Sequence, residues 1–322
     1  MRLLALSADD IRRALPITAA IEATKAAFAD LSAGRATVPQ RATLPVRDDA
    51  LFLVKPAVQP EAAFGAKLLS YFPDNPAREL PMIQGVVVLF DSDDGSPAGV
   101  CDGGFLTAWR TAAATGAATD LLAREDASRA VLFGAGAQAR TQVLALDAAR
   151  PLERIAVCAR SLRSAERFAE EVDELVSAQV VAVETADLAE ADVVCTATPA
   201  TSPLFEGASI SPGCHVNCIG SFRPDMREVD SDLIARSRVF VDSRGPVSLE
   251  AGELIHAVER GISRPEEWTE IGEVVEGLRP GRSAPDVITL FKSVGVAVQD
   301  TAAGAAALAE ARRLGIGTQI DL

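Results

Sequence analysis

Hydrophobic and polar positions follow different patterns in the two parts of the chain. In the N-terminal part, apolar residues spaced near 3.6 predict a helix over 21–31, and Ser7 is suited to cap a shorter helix over 8–15. Apolar runs typical of strands occupy residues 50–55, 62–71 and 83–91. Turn residues fill 91–97, so we expect a hairpin there. This part is predicted to combine helices with hairpin-linked strands, an α+β arrangement.

From Arg129 onward, short apolar runs alternate with helical segments. The strand-like runs lie at 130–133, 154–158, 180–183, 192–196, 215–219 and 239–242. Such alternation predicts an α/β fold with a doubly wound parallel sheet and right-handed crossovers. An alanine-rich helix over 301–313 follows and is expected to return to the first domain. We therefore predict one domain over 116–300 and a discontinuous α+β domain made of 1–115 and 301–322.

A glycine-rich turn joins the first of these strands to a helix predicted over 137–149. The segment Gly134-Ala-Gly136-Ala137-Gln138-Ala139 has the spacing G-x-G-x-x-A in the strand–turn–helix context that dinucleotide binding requires. Gly134 permits the tight turn, and Gly136 lets the backbone approach a pyrophosphate. The helix directs its N–H groups and positive dipole end at the phosphates. The alternative is a tight strand–helix turn that binds no ligand.

The end of the second strand bears on the choice between NAD and NADP. An acidic residue there selects NAD by binding the adenosine ribose hydroxyls. Here the strand over 154–158 is followed by Ala159, Arg160 and Ser161, with no acid at the turn. Arg160 and Ser161 are suited to hold a 2′-phosphate through charge-assisted hydrogen bonds. This favours NADP over NAD, although Arg160 stacked on the adenine, or simply solvated, is an alternative.

Composition and charge exclude several classes of protein. The net charge of −14 over 322 residues argues against a nucleic-acid or anionic-membrane partner. Neither a secretory signal nor a membrane-spanning run is visible. The five cysteines are scattered without a C-x-x-C motif, which is typical of reduced cysteines in a cytoplasmic protein. Only two histidines occur and no His/Cys/Asp cluster suggests a metal, which also argues against a Ser-His-Asp or Cys-His hydrolase.

Three basic residues stand in unusual surroundings. Lys67 lies in an otherwise apolar strand, Arg110 lies on an apolar helix, and Arg41 follows Val38-Pro-Gln. A buried cation needs a partner or a ligand. If these three converge, they form an anion pocket suited to a substrate carboxylate. Taken singly, each is more often a satisfied structural residue.

At these residues the chain resembles the ornithine cyclodeaminase/μ-crystallin family. The resemblance extends over nearly the whole length and is carried by several motifs in the same order: VPQR (38–41), GAKLLSYFPDN (65–75), DGGFLTAWRTAA (102–113), GAGAQA (134–139), GSFRPDMREVD (220–230), DSR (242–244), EAGEL (250–254) and FKSVGVAVQD (291–300). It implies a Rossmann dinucleotide-binding domain over 116–300. It also implies that 1–115 with 301–322 form a substrate-binding and dimerisation domain, that the protein is a homodimer, and that it binds a nicotinamide cofactor.

The resemblance also assigns residues. The family's carboxylate-binding cations match Arg41, Lys67 and Arg110, which are our candidate catalytic residues. Positions expected to bind the cofactor are Arg110 and Thr111 near the phosphates, Gly134, Gly136, Ala137 and Gln138 in the pyrophosphate loop, Arg160 and Ser161 at the ribose, and Ser293 and Gly295 near the nicotinamide.

The segment after the fifth strand differs from that of the family's cyclodeaminases, and this difference distinguishes cyclodeamination from imine reduction. Those enzymes resemble G-G-D-x-P-G-K-T-E after the fifth strand, where the Asp acts as acid and base. Alignment on Pro224 and Glu228 places Phe222 at that Asp, and Phe222 accepts no proton. The segment is similar to the μ-crystallin or ketimine-reductase version, S-x-R-P-D. We therefore expect an NAD(P)H-dependent reductase of a cyclic ketimine or of the imine of a 2-oxo acid. The alternatives are an ornithine cyclodeaminase, an alanine-dehydrogenase-like enzyme, or a non-catalytic μ-crystallin-like ligand-binding protein.

Overall fold

The computed structural model describes residues 2–60 and 63–321, and they divide into two compact units. The first unit comprises Met1–Arg110 and Val296–Leu322, and the second comprises Thr111–Gly295. Both divisions lie a few residues earlier in the chain than the sequence suggested. The first falls within a single helix, Gly103–Leu122 (α3), so no turn or change of composition marks it.

The first unit combines a mixed sheet with helices on one of its faces. Its strands are β1 (Arg2–Leu6), β2 (Ala42–Arg47), β3 (Ala50–Gln59), β4 (Ala63–Tyr71), β5 (Ile83–Phe90), β6 (Pro97–Asp102) and β15 (Thr318–Asp321). Its helices besides the start of α3 are α1 (Ala8–Ala14), α2 (Ile17–Ser32) and α10 (Ala297–Leu314). In the described residues the strand order is β15-β1-β6-β5-β4-β3-β2, and α10 packs against β3, β4 and β5.

Local patterns predicted most of this unit. Ser7 caps α1, with its side chain accepting a hydrogen bond from the backbone N–H of Asp10, and the hairpin between β5 and β6 is confirmed. The predicted strand at 62–71 is observed from Ala63, since Ala62 lies outside the described residues. Strands β1, β2 and β15 were not predicted; in β2 the apolar Leu44 and Val46 alternate with other residues, but every residue of the strand is exposed and none joins the core. Helix α10 begins at Ala297 and not at 301.

The second unit is a Rossmann-type domain with a fully parallel sheet. Its strands are β7 (Arg129–Phe133), β8 (Arg154–Cys158), β9 (Gln179–Ala182), β10 (Val193–Thr196), β11 (His215–Cys218), β12 (Ser237–Val241), β13 (Thr269–Glu270) and β14 (Ile288–Lys292). Its helices are α4 (Ala137–Ala149), α5 (Leu162–Val172), α6 (Ser231–Arg236), α7 (Arg244–Glu250), α8 (Gly252–Glu259) and α9 (Ile271–Val275). Over the described residues the order is β13-β12-β14-β11-β10-β7-β8-β9, which confirms the doubly wound parallel prediction.

The interior of the second unit is apolar, and it also encloses cysteines. Apolar side chains of β7, β10, β11, β12 and β14 pack with α6, α7 and α8 in one core that includes Trp268.

The five cysteines of the two units are all free. Cys101, on β6 of the first unit, and three cysteines of the second unit are buried, and Cys158 is half-buried. Burial raises the pKa of the Cys101 and Cys214 thiols to about 12, so both stay protonated. In residues 2–60 and 63–321, no group of three metal-binding side chains occurs, and no helix there is long and apolar enough to cross a membrane.

Candidate functional site

The glycine-rich turn after β7 contains two glycines that serve different purposes. Gly134 has φ +121°, and a Cβ at this position would lie 2.6 Å from the carbonyl oxygen of Ala197, so only glycine fits. Gly136 has an ordinary φ of −97°, and a Cβ there would meet nothing within 4 Å. The space in front of Gly136 is therefore open, and this is where the first N–H groups of α4 lack intrahelical partners.

The start of α4 fits the phosphates of a dinucleotide. Gly136 is the N-cap residue and has no side chain to satisfy the free N–H groups, and Gly136 and Ala137 are both exposed. Ala139 is fully buried, which lets α4 pack closely on the sheet. The side-chain oxygen of Gln138 is buried and accepts no hydrogen bond from the described residues. A helix N-terminus with open N–H groups favours an anion.

The turn after β8 presents a cation and a hydroxyl. Arg160 is exposed, and Ser161 is the N-cap residue of α5, where its side-chain oxygen accepts a hydrogen bond from the N–H of Ser164 at 3.3 Å. This turn carries no carboxylate, and Arg160 is available to a ligand at the end of the second strand.

The loop after β14 is held by one buried carboxylate. Asp242 Oδ2 accepts hydrogen bonds from Ser293 Oγ at 2.8 Å and from the N–H groups of Val294 and Gly295 at 2.9 and 2.7 Å. Gly295 has φ +80°, which favours glycine. The segment that contains the predicted cofactor residues Ser293 and Gly295 is therefore rigidly shaped.

In the first unit, two of the predicted cations converge on one aspartate. Lys67 Nζ and Arg110 Nε donate to the same atom, Asp300 Oδ1, at 2.9 and 3.0 Å. Lys67 also donates to Thr107 Oγ1 at 3.1 Å, and Arg110 Nη1 donates to Gln299 Oε1 at 3.2 Å. Lys67 is 1% exposed, Arg110 5% and Asp300 0%. We call Lys67, Arg110, Asp300, Thr107 and Gln299 the cationic cluster.

Charge and burial set the ionisation of this cluster. Burial raises the pKa of Asp300, but the positive charges of Arg110, Lys67 and Lys55 outweigh this, so its pKa is lowered and it stays ionised. Burial lowers the pKa of Lys67 well below its ordinary value, and the charges of Arg110 and Lys55 add to this effect against the attraction of Asp300. Lys67 is therefore a lysine that gives up its proton unusually easily.

Asp300 retains an unused acceptor. Its Oδ2 atom is buried and has no hydrogen-bond partner among the described residues. A buried carboxylate oxygen without a donor is costly unless a ligand or water completes it. The cluster thus offers buried cations to an anion and one carboxylate oxygen to an N–H group.

Two predicted site residues lie elsewhere in their units. Arg41 is half-buried and immediately precedes β2, whose first residue, Ala42, pairs with Val54 on β3; Lys67 is on the next strand, β4. Thr111 is buried on α3 and is the first residue of the second unit. The roles of Arg41 in binding a carboxylate and of Thr111 in binding the cofactor stay predictions.

Sequence reasoning did not single out Asp300, Thr107 or Gln299. Asp300 lies in the first turn of α10, where an acidic residue is ordinary, so its position alone does not indicate a site. A signal was nevertheless present, since Asp300 stands inside the long apolar stretch 294–311 beside Gln299. An acid in such a stretch is expected to be buried and to need a cation.

The chain matches the model of the Ornithine cyclodeaminase/mu-crystallin family over residues 2–312. It belongs to this family. A Delta(1)-pyrroline-2-carboxylate reductase of Bacillus cereus is 33% identical over 325 residues, which cover 99% of this chain and 100% of that protein. These findings confirm the resemblance drawn from the sequence motifs.

Two solved structures of family members superpose closely on this chain. The Delta(1)-pyrroline-2-carboxylate reductase of Thermococcus litoralis, in complex with NADH and L-proline, is 34% identical with a TM-score of 0.92, over 99% of this chain and 100% of that one. The iminosuccinate reductase of Paracoccus denitrificans, in complex with NAD+, is 30% identical with a TM-score of 0.93, over the full length of both chains. Both of these structures are of reductases in complex with a nicotinamide dinucleotide, NADH in the first and NAD+ in the second.

Phe222 stands where the sequence comparison expects the acid/base Asp of cyclodeaminases, and this assignment stays a prediction. It lies in the loop after β11 and is 38% exposed, between the buried Ser221 and the exposed Arg223. Arg223 and Asp225 pair with each other at 2.8 Å. An aromatic ring at this position offers neither an acid nor a base.

Proposed function

We propose that this protein reduces the C=N bond of a 2-imino acid to give the amino acid, with NADPH or NADH as reductant. The observation that carries the proposal is the cationic cluster, which offers buried cations and one unsatisfied carboxylate oxygen. A 2-imino acid carries the complementary groups, a carboxylate and an adjacent protonated nitrogen.

Arg110 and Lys67 hold the substrate carboxylate. Asp300 occupies only part of the donor capacity of each, because the guanidinium has five N–H donors and the ammonium has three. Asp300 also fixes both cations in position before a ligand arrives, which lowers the entropy lost on binding. The carboxylate of an imino acid offsets the surplus positive charge that Asp300 alone leaves.

Asp300 Oδ2 accepts the N–H of the substrate iminium. This contact completes the one carboxylate oxygen of the cluster that lacks a donor among the described residues; Gln299 Nε2 is a buried donor that also lacks a partner there. It also stabilises the protonated form of the imine, in which the carbon is most electrophilic. A protonated imine needs no further acid before reduction, so Phe222 in place of an Asp is compatible with this chemistry.

The remaining chemistry divides between cofactor and protein. A bound reduced nicotinamide supplies the hydride. Gly134, Gly136, Ala137 and Gln138 in the turn after β7 hold the pyrophosphate. If the imine arrives unprotonated, the Lys67 ammonium, with its lowered pKa, donates a proton to the imine nitrogen and becomes the neutral amine.

The test is oxidation of NADPH and NADH followed at 340 nm with a panel of imino acids. The panel contains pyrroline-2-carboxylate, piperideine-2-carboxylate, and pyruvate, glyoxylate or oxaloacetate with ammonia or methylamine. We expect turnover with at least one imino acid and no ammonia release from ornithine. Ornithine-dependent ammonia release without imine reduction would overturn the proposal. Cofactor binding without either activity would favour a ligand-binding protein.

We further propose that NADP(H) is preferred over NAD(H). The support is the exposed Arg160 and the hydroxyl of Ser161 at the end of β8, where an NAD-selective acid is missing. Replacing Arg160 with Gln is expected to lower the preference for NADPH about tenfold to a hundredfold, because hydrogen bonds to a charged group contribute about 1.5–3 kcal/mol. Arg167→Gln, exposed on the following helix α5, is the control. An equal effect of Arg160→Gln on both cofactors would contradict the preference.

We also propose that the protein is a homodimer formed through the open face of the first unit's sheet. On that face, cross-strand neighbours form apolar rows such as Val54–Leu68–Val86 and Val58–Phe64–Phe90. Val58 and Val86 remain 41% and 38% exposed, whereas Lys67 and Val87 face α10 on the other side. Exposed apolar patches of this kind are typical of interfaces.

Sedimentation measures the oligomeric state directly. We expect the wild-type chain to sediment as a dimer and Val86→Lys to shift it to the monomer. Leu278→Lys, at an exposed apolar side chain of the second unit, is the control and should leave the dimer intact. A monomeric wild-type protein would refute the proposal.

A further inference from the structure

Buried carboxylates line the carboxyl edge of the parallel sheet in the second unit. Glu228 is 0% exposed and accepts four hydrogen bonds. The donors are the N–H and hydroxyl of Thr198, both at 2.8 Å, and the N–H groups of Gly220 and Ser221 at 2.7 and 3.2 Å. Glu228 therefore ties the loop after β10 to the loop after β11.

Asp242 does the same at the end of β12. Besides the three donors from Ser293, Val294 and Gly295, its Oδ1 accepts the N–H of Ser243 at 2.8 Å. Asp242 is 0% exposed. It ties the loop after β14 to the end of β12.

Lys292, the last residue of β14, links the loop held by Asp242 to the loop held by Glu228. Its Nζ lies 3.0 Å from Glu253 Oε1 and donates to the carbonyl oxygen and the hydroxyl of Ser221, at 2.6 and 2.5 Å. Ser221 Oγ in turn donates to Glu253 Oε2 at 2.5 Å. Lys292 and Glu253 are 0% and 1% exposed. We call Glu228, Asp242, Glu253, Lys292 and Ser221 the acidic cluster.

The acidic cluster holds more negative than positive charge. Backbone N–H groups only donate, and three of them face each of Glu228 and Asp242, which favours the ionised carboxylates against burial, which raises the pKa of both. Glu253 is paired with Lys292, whose positive charge is retained because the attraction of Glu253 and Glu228 outweighs its burial and raises its pKa. The acidic cluster thus holds three carboxylates and one ammonium; Glu253 contacts Lys292, and the charge of Glu228 also acts on it.

This charge lies at the edge of the sheet where a dinucleotide binds. In a doubly wound sheet the ligand crosses the carboxyl edge where the strand order reverses, here between β7 and β10. The Gly134 turn touches the loop after β10 at Ala197, and Gly220 touches the same loop at Thr198, with a Cβ at Gly220 only 2.1 Å from the Thr198 carbonyl oxygen. In this fold the adenosine ribose would lie towards β8, and the loops after β10, β11 and β14 would then hold the nicotinamide half.

We propose that the acidic cluster tunes the bound cofactor by favouring its oxidised, positively charged nicotinamide over the reduced, neutral one. Fixed negative charge in a buried site stabilises a positive ring and leaves a neutral ring nearly unaffected. A bound cofactor whose oxidised form is stabilised is a stronger hydride donor. The inference rests on the proposed function only for the class of cofactor, and the substrate does not enter it.

The test compares the dissociation constants of the oxidised and reduced cofactor, measured by fluorescence and calorimetry on the whole protein. Glu253→Gln removes one negative charge and keeps the shape of the side chain. We expect it to weaken the oxidised form relative to the reduced form about tenfold, as for one charge at about 10 Å with an effective dielectric constant near 20. Asp242→Asn is a second variant with the same expected sign, should Glu253→Gln fold poorly.

A double variant separates charge from structure. Lys292→Met combined with Glu253→Gln removes one charge of each sign, so the ratio of the two constants should return towards the wild-type value. Ser221→Ala removes hydrogen bonds without removing charge, and both constants should change in parallel. If the double variant departs further from the wild-type ratio than Glu253→Gln alone, the cluster is purely structural and the inference is wrong.

Failure of the proposed function gives a different result. If the wild-type chain binds neither form of either nucleotide, the cofactor assignment fails. If it binds both forms and the acidic variants leave the ratio within twofold of wild type, only the present inference fails.

Discussion

Each unit buries a lysine with a carboxylate partner, but the two lysines stand in opposite surroundings. Lys67 shares Asp300 with Arg110, and the charges that shift its pKa are two further cations and one acid. Lys292 is paired with Glu253 and lies near Glu228. As a result, the pKa of Lys67 is lowered and that of Lys292 is raised, although both side chains are fully enclosed.

The difference lies in what each cluster leaves unsatisfied. The acidic cluster surrounds Glu228 and Asp242 with donors and gives Lys292 three oxygen partners; Glu253 Oε1 has no hydrogen bond within the described residues but lies 3.0 Å from Lys292 Nζ. The cationic cluster leaves Asp300 Oδ2 without a donor and Gln299 Nε2 without an acceptor among the described residues, and it has cations in surplus. We call the acidic cluster the closed network, because its members satisfy one another and stabilise the fold. We call the cationic cluster the open network, because it keeps polar atoms free to bind a ligand. We therefore expect substitutions in the cationic cluster to affect turnover first and those in the acidic cluster to affect folding first.

The largest effect is expected from Arg110→Met. Removing one partner of a buried charged contact costs about 2–5 kcal/mol, so kcat/KM for the imino acid should fall about a hundredfold or more. Steady-state kinetics with the best imino acid measures this loss. Arg313→Met, at an exposed pair with Glu310 on α10, is the control. A loss below threefold would show that Arg110 does not hold the carboxylate.

Lys292→Met tests the closed network through stability. An unpaired carboxylate is left in the interior, and breaking a buried ion pair costs about 3–5 kcal/mol. Urea unfolding should show a loss of this size. Adding Glu253→Gln should recover part of it, because the uncompensated charge is then removed. No recovery in the double variant would mean that the loss comes from packing around Lys292 and not from charge.

Asp300→Asn tests the open network through pH. Asp300 raises the pKa of Lys67, so its removal lowers that pKa further. Because protonated Lys67 binds the substrate carboxylate, kcat/KM falls as pH rises through the pKa of Lys67. This fall is the alkaline limb of the pH profile, and in the variant it moves to lower pH. The lost acceptor also lowers kcat/KM about tenfold to a hundredfold below the limb. A pH profile of kcat/KM checks both, and an alkaline limb that does not move would separate Lys67 from catalysis.

The sequence predicted the parts of each unit that local rules determine. The turn at Gly134 and Gly136 is one such part, because strand, turn and helix follow one another directly. Lys67 and Arg110 are another, because a cation among apolar residues must be buried and partnered. Strand β14, Ile288–Lys292, was missed although it is a mostly apolar run; what the sequence could not show is its place between β11 and β12, out of chain order. Asp300 was missed because its partners Lys67 and Arg110 are remote in the chain, so only the fold shows why it is there.

The smallest effect is expected where each lysine loses only a hydroxyl partner. Thr107→Val removes one acceptor of Lys67, and Ser221→Ala removes one acceptor of Lys292. A typical hydrogen bond contributes about 0.5–1.5 kcal/mol, and Lys67 keeps Asp300 as its charged partner, so Thr107→Val should lower kcat/KM about threefold to tenfold. We expect its unfolding free energy to change less than that of Ser221→Ala, because valine fills the volume of threonine and no buried carboxylate loses a donor.

Ser221→Ala should change the unfolding free energy more than it changes kcat/KM, the opposite of Thr107→Val. The hydroxyl donates to Glu253 and accepts from Lys292, so its removal leaves two buried charged groups each short of one partner. A loss of about 1–3 kcal/mol in unfolding free energy follows, with a smaller effect on kcat/KM than Thr107→Val has. Urea unfolding gives the change in unfolding free energy, and steady-state kinetics gives the change in kcat/KM, for each of the two variants. If both variants lose stability and activity in the same proportion, the contrast between an open and a closed network does not hold.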